Sequence, residues 1–295
     1  MNRNYYQALI SMSIQQTDAT GTVAFDIQGS SFSIKTSGNG IINWGDGAQK
    51  IVSGSDVTTS HSYSATGLHS IVFTGSFTNV QQVNSTQAAK VRKVWSYSLP
   101  SLTTAAKAFY QCVNATFDSG FSFGTSPITS LYHCFYECPG LDFTPNIPST
   151  VEEFSYCFYN CTGISVTAVL PSVASNLNKS ISFSHMYDGC INLLSIPSSN
   201  TRIRPNGKDM SYMFRNCSRL IADITSIVSQ YENSVGINNT GNANAGYMFY
   251  NCPNLTGTMH SWWSYNAKFS SHSQCFYKCT GLANYISIPS GWKTS

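Results

Sequence analysis

One five-residue phrase recurs seven times in this chain and constrains its fold more than any other feature. A small or soft apolar residue comes first, then an aromatic, two variable residues and a closing cysteine. The copies are AFYQC (Ala108 to Cys112), CFYEC (Cys134 to Cys138), CFYNC (Cys157 to Cys161), MYDGC (Met186 to Cys190), MFRNC (Met213 to Cys217), MFYNC (Met248 to Cys252) and CFYKC (Cys275 to Cys279). The closing cysteines follow one another at intervals of 26, 23, 29, 27, 35 and 27 residues. A period in this range marks a stacked array, because a single unit is too small to bury its own apolar face.

The pattern within a copy predicts a buried interior. The first residue, the aromatic, the cysteine and the Leu or Ile three positions later fall at i, i+1, i+4 and i+7, one face of a short helical turn. The expected core is therefore Phe109, Cys112, Phe135, Cys138, Phe158, Cys161, Cys190, Phe214, Cys217, Phe249, Cys252, Phe276 and Cys279. The first copy has Ala115 in place of the leucine, as a cap does. Short β-like runs ending in proline follow at 141–148, 164–171, 193–197 and 282–289, so each unit reads as a strand plus a helical turn. The long 217–252 interval reads as a loop insertion around Asn233–Ala245.

The ten cysteines suggest chemistry, but their setting argues for packing. The opening position of the phrase takes Ala, Cys, Cys, Met, Met, Met and Cys. A position that accepts methionine wants a soft apolar side chain, so free buried thiols are expected. A zinc site built from Cys134, Cys138, Cys157 and Cys161, with His133 alongside, is the competing reading.

Residues 20–79 carry no copy of the phrase and alternate as short strands. Asn43-Trp-Gly-Asp-Gly47 is followed by His61-Ser-Tyr63 and by Gly67-Leu-His-Ser-Ile-Val-Phe73. In order, these resemble the W-G-D-G, H-x-Y and G-x-Y-x-V motifs of PKD-like domains, with His69 in the last aromatic position. The resemblance implies an immunoglobulin-like β-sandwich used as a spacer or binding module, without catalysis. Its motif residues are Trp44, Gly45, Asp46, Gly47, His61 and Tyr63. Trp44 is expected in the core, Gly45 and Gly47 in a tight turn, and Tyr63 in a hydrogen bond at a corner. An Asp46–His61 catalytic or metal pair is the alternative.

Residues 80–295 form the array. The F-x-x-C-x-x-L…I-P arrangement, as in Met210-Ser-Tyr-Met-Phe-Arg-Asn-Cys-Ser-Arg-Leu220 and Ile288-Pro-Ser-Gly-Trp-Lys293, resembles the BspA-like leucine-rich repeats. That family implies a solenoid with no shared active site, associated with bacterial surface attachment and with phage or prophage proteins. The expected fold class is mainly β with short helical turns, an Ig-like sandwich followed by a repeat solenoid. Residues 1–19 are expected to be an attachment segment.

Two surfaces are candidates for binding. Two residues before each cysteine stand Tyr110, Tyr136, Tyr159, Asp188, Arg215, Tyr250 and Tyr277. Because Asp and Arg occur there, the position is expected to face water, making a stripe of tyrosines suited to adaptable contact. The second is a strand face with Asp142, Thr144, Ser165, Thr167, Ser195 and Ser287. Lys90, Arg92 and Lys93 on an opening strand, and Arg202, Arg204 and Lys208 in a loop, read as solvated faces.

Composition narrows the function. Charged residues are 10% and the net charge is +3, which gives no pull toward nucleic acid or anionic membrane. The chain opens without an apolar run of signal length, and no stretch approaches the ~20 apolar residues of a spanning helix. No catalytic, cofactor or metal signature stands out. The expectation is a non-enzymatic binding or structural protein on a phage-like virion, a tail-fibre or host-receptor-binding component. Its partners would be a protein or glycan receptor on a cell surface and other virion proteins, with homo-oligomers compatible. The alternative is a bacterial cell-surface adhesin of BspA-like type that binds host or matrix glycoproteins.

Overall fold

The computed structural model describes residues 21–167, 182–196, 209–224, 243–259 and 269–294. The protein is mainly β. Two four-residue α-helices are described in full, α1 (Ser85–Ala88) and α2 (Ser290–Lys293). The attachment segment 1–19, the cluster Arg202, Arg204 and Lys208, residues 168–171 and most of the 233–245 insertion lie outside the described residues. The described end of that insertion, Ala243–Asn244, is a strand (β5) that pairs in parallel with β6 (Phe269–Ser271).

The N-terminal part is built from β1 (Val23–Asn43) and β2 (Gln49–Gln82), two long bent strands. They pair antiparallel in successive registers, Val23 with Phe73, Ser31 with Ser62 and Thr36 with Val80. Phe25, Phe32, Ile42, Trp44, Phe73 and Phe77 fill the interior. The turn between the strands explains its glycines. Gly45 and Gly47 have φ of +85° and +94°, and a Cβ on Gly45 would collide with the Ser70 carbonyl.

One sheet crosses the boundary expected at residue 79. β3 (Val91–Tyr97) pairs antiparallel with β1 and in parallel with β4 (Thr116–Phe117), which follows the first copy of the phrase. The sheet order is β2-β1-β3-β4, so one sheet runs from the N-terminal part into the array. Val91, Val94 and Tyr97 point inward at three-residue spacing, and the two parts share one apolar core. Lys90 and Arg92 spend their charged ends on the Ser31 and Ala89 carbonyls, while Lys93 pairs with Asp118.

The helical turn expected for the phrase is corrected. Two residues in every copy have positive φ, one five positions and one just before the closing cysteine. His133 and Glu137 show it at +53° and +55°, and Tyr212 and Asn216 at +60° and +61°. Such a backbone cannot be α-helical; it makes consecutive tight turns, as in Cys134 N–H to Leu131 O and Cys138 N–H to Phe135 O. Left-handed geometry costs a non-glycine residue roughly 1–2 kcal/mol. The array offsets this by turning alternate amides toward the next copy. His133, Phe135 and Glu137 donate to the carbonyls of Ser155, Cys157 and Tyr159, at 3.1, 2.9 and 2.7 Å. The same three-bond rung joins Tyr187, Gly189 and His185 to Met213, Arg215 and Ser211.

The parallel bridges lie mainly ahead of the phrase, where no strand was expected. Thr104, Ser130, Glu153 and Ser182 are bridged in series, eight residues before their cysteines. The side chain at this position accepts the N–H two residues on, as in Ser130 with Tyr132, Glu153 with Ser155 and Asp209 with Ser211. That local bond turns the chain into the first left-handed residue. The runs after the leucine form only isolated bridges, Val166 with Ser195 and Asp223 with Thr256. The run at 282–289 is no strand; it holds a 3-10 turn, Tyr285–Ser287.

The interior is a column of rings. Phe109, Phe135, Phe158, Tyr187, Phe214, Phe249 and Phe276 stack with centroids 5.2–5.8 Å apart. Trp292 closes one end, 6.0 Å from Phe276 and accepting its N–H, and Tyr97 closes the other edge-on at 5.4 Å. The open carbonyls of the first copy are met by Gln82, whose N–H bonds Lys107 O and whose side chain bonds Ala108 O. At the far end the Tyr285 hydroxyl accepts the Lys278 N–H.

Candidate binding face

The rungs hold copies in register, so equivalent side chains lie one strand spacing apart and stack. The position two before the cysteine forms one column. Tyr110, Tyr136 and Tyr159 stack at 5.0 and 4.6 Å, and Tyr250 stacks on Tyr277 at 4.7 Å. The expected stripe exists, but its rings are half-buried against each other instead of standing free in water. Burial, then Glu137, pushes the Tyr136 phenol up to about 12.

The expectation that this position faces water fails at Asp188, which is 1% exposed. Its carboxylate takes Arg215 Nε at 2.9 Å, Arg215 Nη2 at 2.8 Å and His185 Nδ1 at 2.8 Å. Arg215 lies over the Tyr212 ring at 4.9 Å, with its side chain 30% exposed. The two charged residues in the column therefore neutralise each other across adjacent copies, and that pairing is what allows Asp188 to be buried.

A second column went unrecognised in the sequence. Five residues before the cysteine stand Lys107, His133, Tyr156, His185, Tyr212, Tyr247 and Gln274. Tyr156, His185, Tyr212 and Tyr247 stack in series at 4.3, 4.2 and 4.7 Å. The signal was present, since five of these seven are Tyr or His, but they sit one residue outside the phrase. The columns touch, Tyr156 lying 5.8 Å from Tyr159 and Tyr247 5.7 Å from Tyr250. His133 meets Tyr136 and Tyr156, and its Nδ1 has no hydrogen-bond partner. Burial, with Lys107 and His185 adding to it, lowers its pKa to about 4.

The hydroxyls divide the described tyrosines. Tyr63, Tyr97 and Tyr285 use theirs on backbone groups. None of the tyrosines in the two columns makes a hydrogen bond through its hydroxyl.

The cysteines belong to the frame. All ten are buried and unbridged. Those closing the second to seventh copies donate to the carbonyl of the preceding copy's ring residue, as in Cys138 to Phe109, Cys161 to Phe135 and Cys190 to Phe158 at 3.0, 2.9 and 3.0 Å. The sulfurs named for a zinc site are thus split between main-chain bonds at Cys138 and Cys161 and apolar packing at Cys134 and Cys157. Desolvation holds the Cys134, Cys138 and Cys157 thiols well above their usual range.

The other candidates resolve structurally. Trp44 is buried under His61, with rings 5.1 Å apart, and the Tyr63 hydroxyl donates to Trp44 O at 3.0 Å. Asp46 accepts the Ala48 N–H and contacts His61 Nε2 at 2.8 Å, a turn-bracing pair. The His61 bond, ahead of all other influences, lowers the Asp46 pKa. His69 stacks on Tyr63 at 3.5 Å, doing an aromatic's work. In the polar strand set, Asp142 and Ser287 are exposed, Thr144, Ser165 and Ser195 half-buried and Thr167 buried, so they do not form one face. Among the described residues no cluster of metal-ligating side chains is present and no helix is long and apolar enough to cross a membrane. No family model, curated protein or solved structure matches this chain.

Proposed function

We propose that this chain is a non-enzymatic binding protein of a biological surface, a tail-fibre or receptor-binding component of a phage-like virion. In this reading residues 20–79 are a PKD-like, immunoglobulin-like sandwich that spaces the molecule. The remainder is a BspA-like leucine-rich-repeat solenoid that presents the binding face. The observation that carries the reading is the two-column face. It is wide, rigid and mostly uncharged, and its side chains are ordered before any ligand arrives, which lowers the entropic cost of binding. The thiols point away from chemistry, since six of them are committed to main-chain carbonyls.

The test has two arms. Mass spectrometry of purified virions should find the chain, and the isolated protein should block virion adsorption to host cells. A chain absent from virions that also fails to bind cells overturns the reading. A chain absent from virions but labelled on uninfected bacteria instead supports the adhesin of BspA-like type.

A further inference from the structure

Resting on the reading of the two columns as a binding face, we propose that its ligand is an uncharged glycan chain lying along the array. The first argument is the state of the rings. Within each run the tyrosines turn their faces to one another, as with Tyr136 and Tyr159, 4.6 Å apart and inclined by only 5°. Solvent therefore meets ring edges and phenol oxygens. A protein partner draws most of its energy from aromatic or arginine anchors inserted into pockets, and stacked rings cannot be inserted.

The second argument is the hydroxyls. A phenol both donates and accepts, and the phenols of this face do neither within the protein. Elsewhere in the described chain the fold uses tyrosine hydroxyls, at Tyr63, Tyr97 and Tyr285. The rings that carry the unused hydroxyls stack at 4.6–5.0 Å in two runs, Tyr110-Tyr136-Tyr159 and Tyr250-Tyr277. The ligand chemistry that satisfies such a surface is itself a row of hydroxyls. The repetition favours a polymer over a single sugar, because each copy adds a similar increment and the ordering cost falls once.

The third argument is charge. The cation in the middle of the face, Arg215, is already matched by buried Asp188. The exposed lysines in or beside the two columns, Lys107 and Lys278, stand at their ends, so a polyanion would find little counter-charge along the middle, whereas a neutral chain needs none.

The experiment uses the full chain in calorimetry with soluble dextran, mannan and xylan, and with alginate and heparin as acidic polymers. At least one neutral polymer should bind, with an affinity unchanged from low to high salt. The triple variant Tyr136→Phe, Tyr159→Phe, Tyr250→Phe keeps the stacked rings and removes three hydroxyls. It should lose affinity by roughly three- to tenfold per hydroxyl, with an unchanged Tm because those hydroxyls have no protein partner. Neutral polymers that do not bind, binding indifferent to the triple substitution, or salt-sensitive binding to acidic polymers alone overturns the proposal. Adsorption of the chain to host cells, with and without periodate oxidation or protease treatment, separates the two levels. Binding that survives periodate and is lost to protease overturns the glycan and leaves the binding function standing; no adsorption to untreated cells overturns both.

Discussion

The Cys161 thiol donates to the carbonyl of Phe135 at 2.9 Å, binding the closing end of one phrase to the ring residue of the one before it. The contact recurs down the array and gives the closing cysteine a reason that packing alone does not supply. The first residue of the phrase packs only, and Ala, Cys and Met replace one another there. The closing residue is Cys in all seven copies, and in six of them its thiol donates to a ring-residue carbonyl of the copy before.

Cys161→Ala is expected to cost about 1–2 kcal/mol, a lost S–H···O bond plus a small cavity, while the Phe135 carbonyl keeps the Cys138 N–H. Cys161→Ser should recover part of this, because the hydroxyl also donates. Cys112 has no copy before it and makes no such bond, so Cys112→Ala should cost less than Cys161→Ala. Urea midpoints for the three variants check the order.

Burial raises the pKa of the thiols, to about 12 for Cys161 and Cys279. Above the unfolded thiol pKa of about 8.5 the unfolded chain loses protons that the native chain keeps. Stability should be unaffected by the thiols below that pH and decline from about pH 8.5 toward 12. A thiol reagent at pH 8 should leave the native protein unmodified and titrate ten groups in denaturant.

His133 has the opposite sensitivity. Its folded pKa, lowered to about 4, lies below the unfolded value of about 6.5. Between these values the unfolded chain takes up a proton that the native state refuses, so stability falls as pH drops. His133→Tyr places in this copy the residue found at Tyr156, Tyr212 and Tyr247. Its Tm should fall less than the wild-type Tm between pH 6.5 and 4.

Arg215→Leu removes the main counter-charge of a carboxylate that is 1% exposed. It is expected to destabilise the protein by about 3 kcal/mol, most of it the penalty of an under-paired buried charge. The double substitution Asp188→Tyr, Arg215→Tyr continues the tyrosine column across all seven copies. It should be closer to wild type than Arg215→Leu alone, and thermal denaturation of both variants decides this.

Trp292→Ala should cost about 3–5 kcal/mol and fray the last copy first. Trp292 is 1% exposed, covers the terminal ring Phe276 and accepts its N–H. Hydrogen exchange should show loss of protection around Cys275–Cys279 before the middle of the array.

By itself the sequence determined which side chains are buried in the array. The spacing of aromatic, cysteine and leucine repeats, and burial follows from apolar surface whatever backbone delivers it; Phe135, Cys138 and Leu141 are all fully buried. It also placed Trp44 in the core and Tyr63 on its corner bond, because those roles are local to a turn and its partner strand. Only the tertiary structure decided the backbone of the phrase. A period near 3.6 is shared by an α-helix and by consecutive turns, and nothing in the residue types at His133 or Glu137 announces positive φ. That geometry pays off only through the amides it turns toward the next copy, a long-range bond invisible along the chain. The same reason hid the second column and the burial of Asp188: whether a side chain faces water depends on what the neighbouring copy stacks against it, and there Arg215 arrives from the copy 27 residues on.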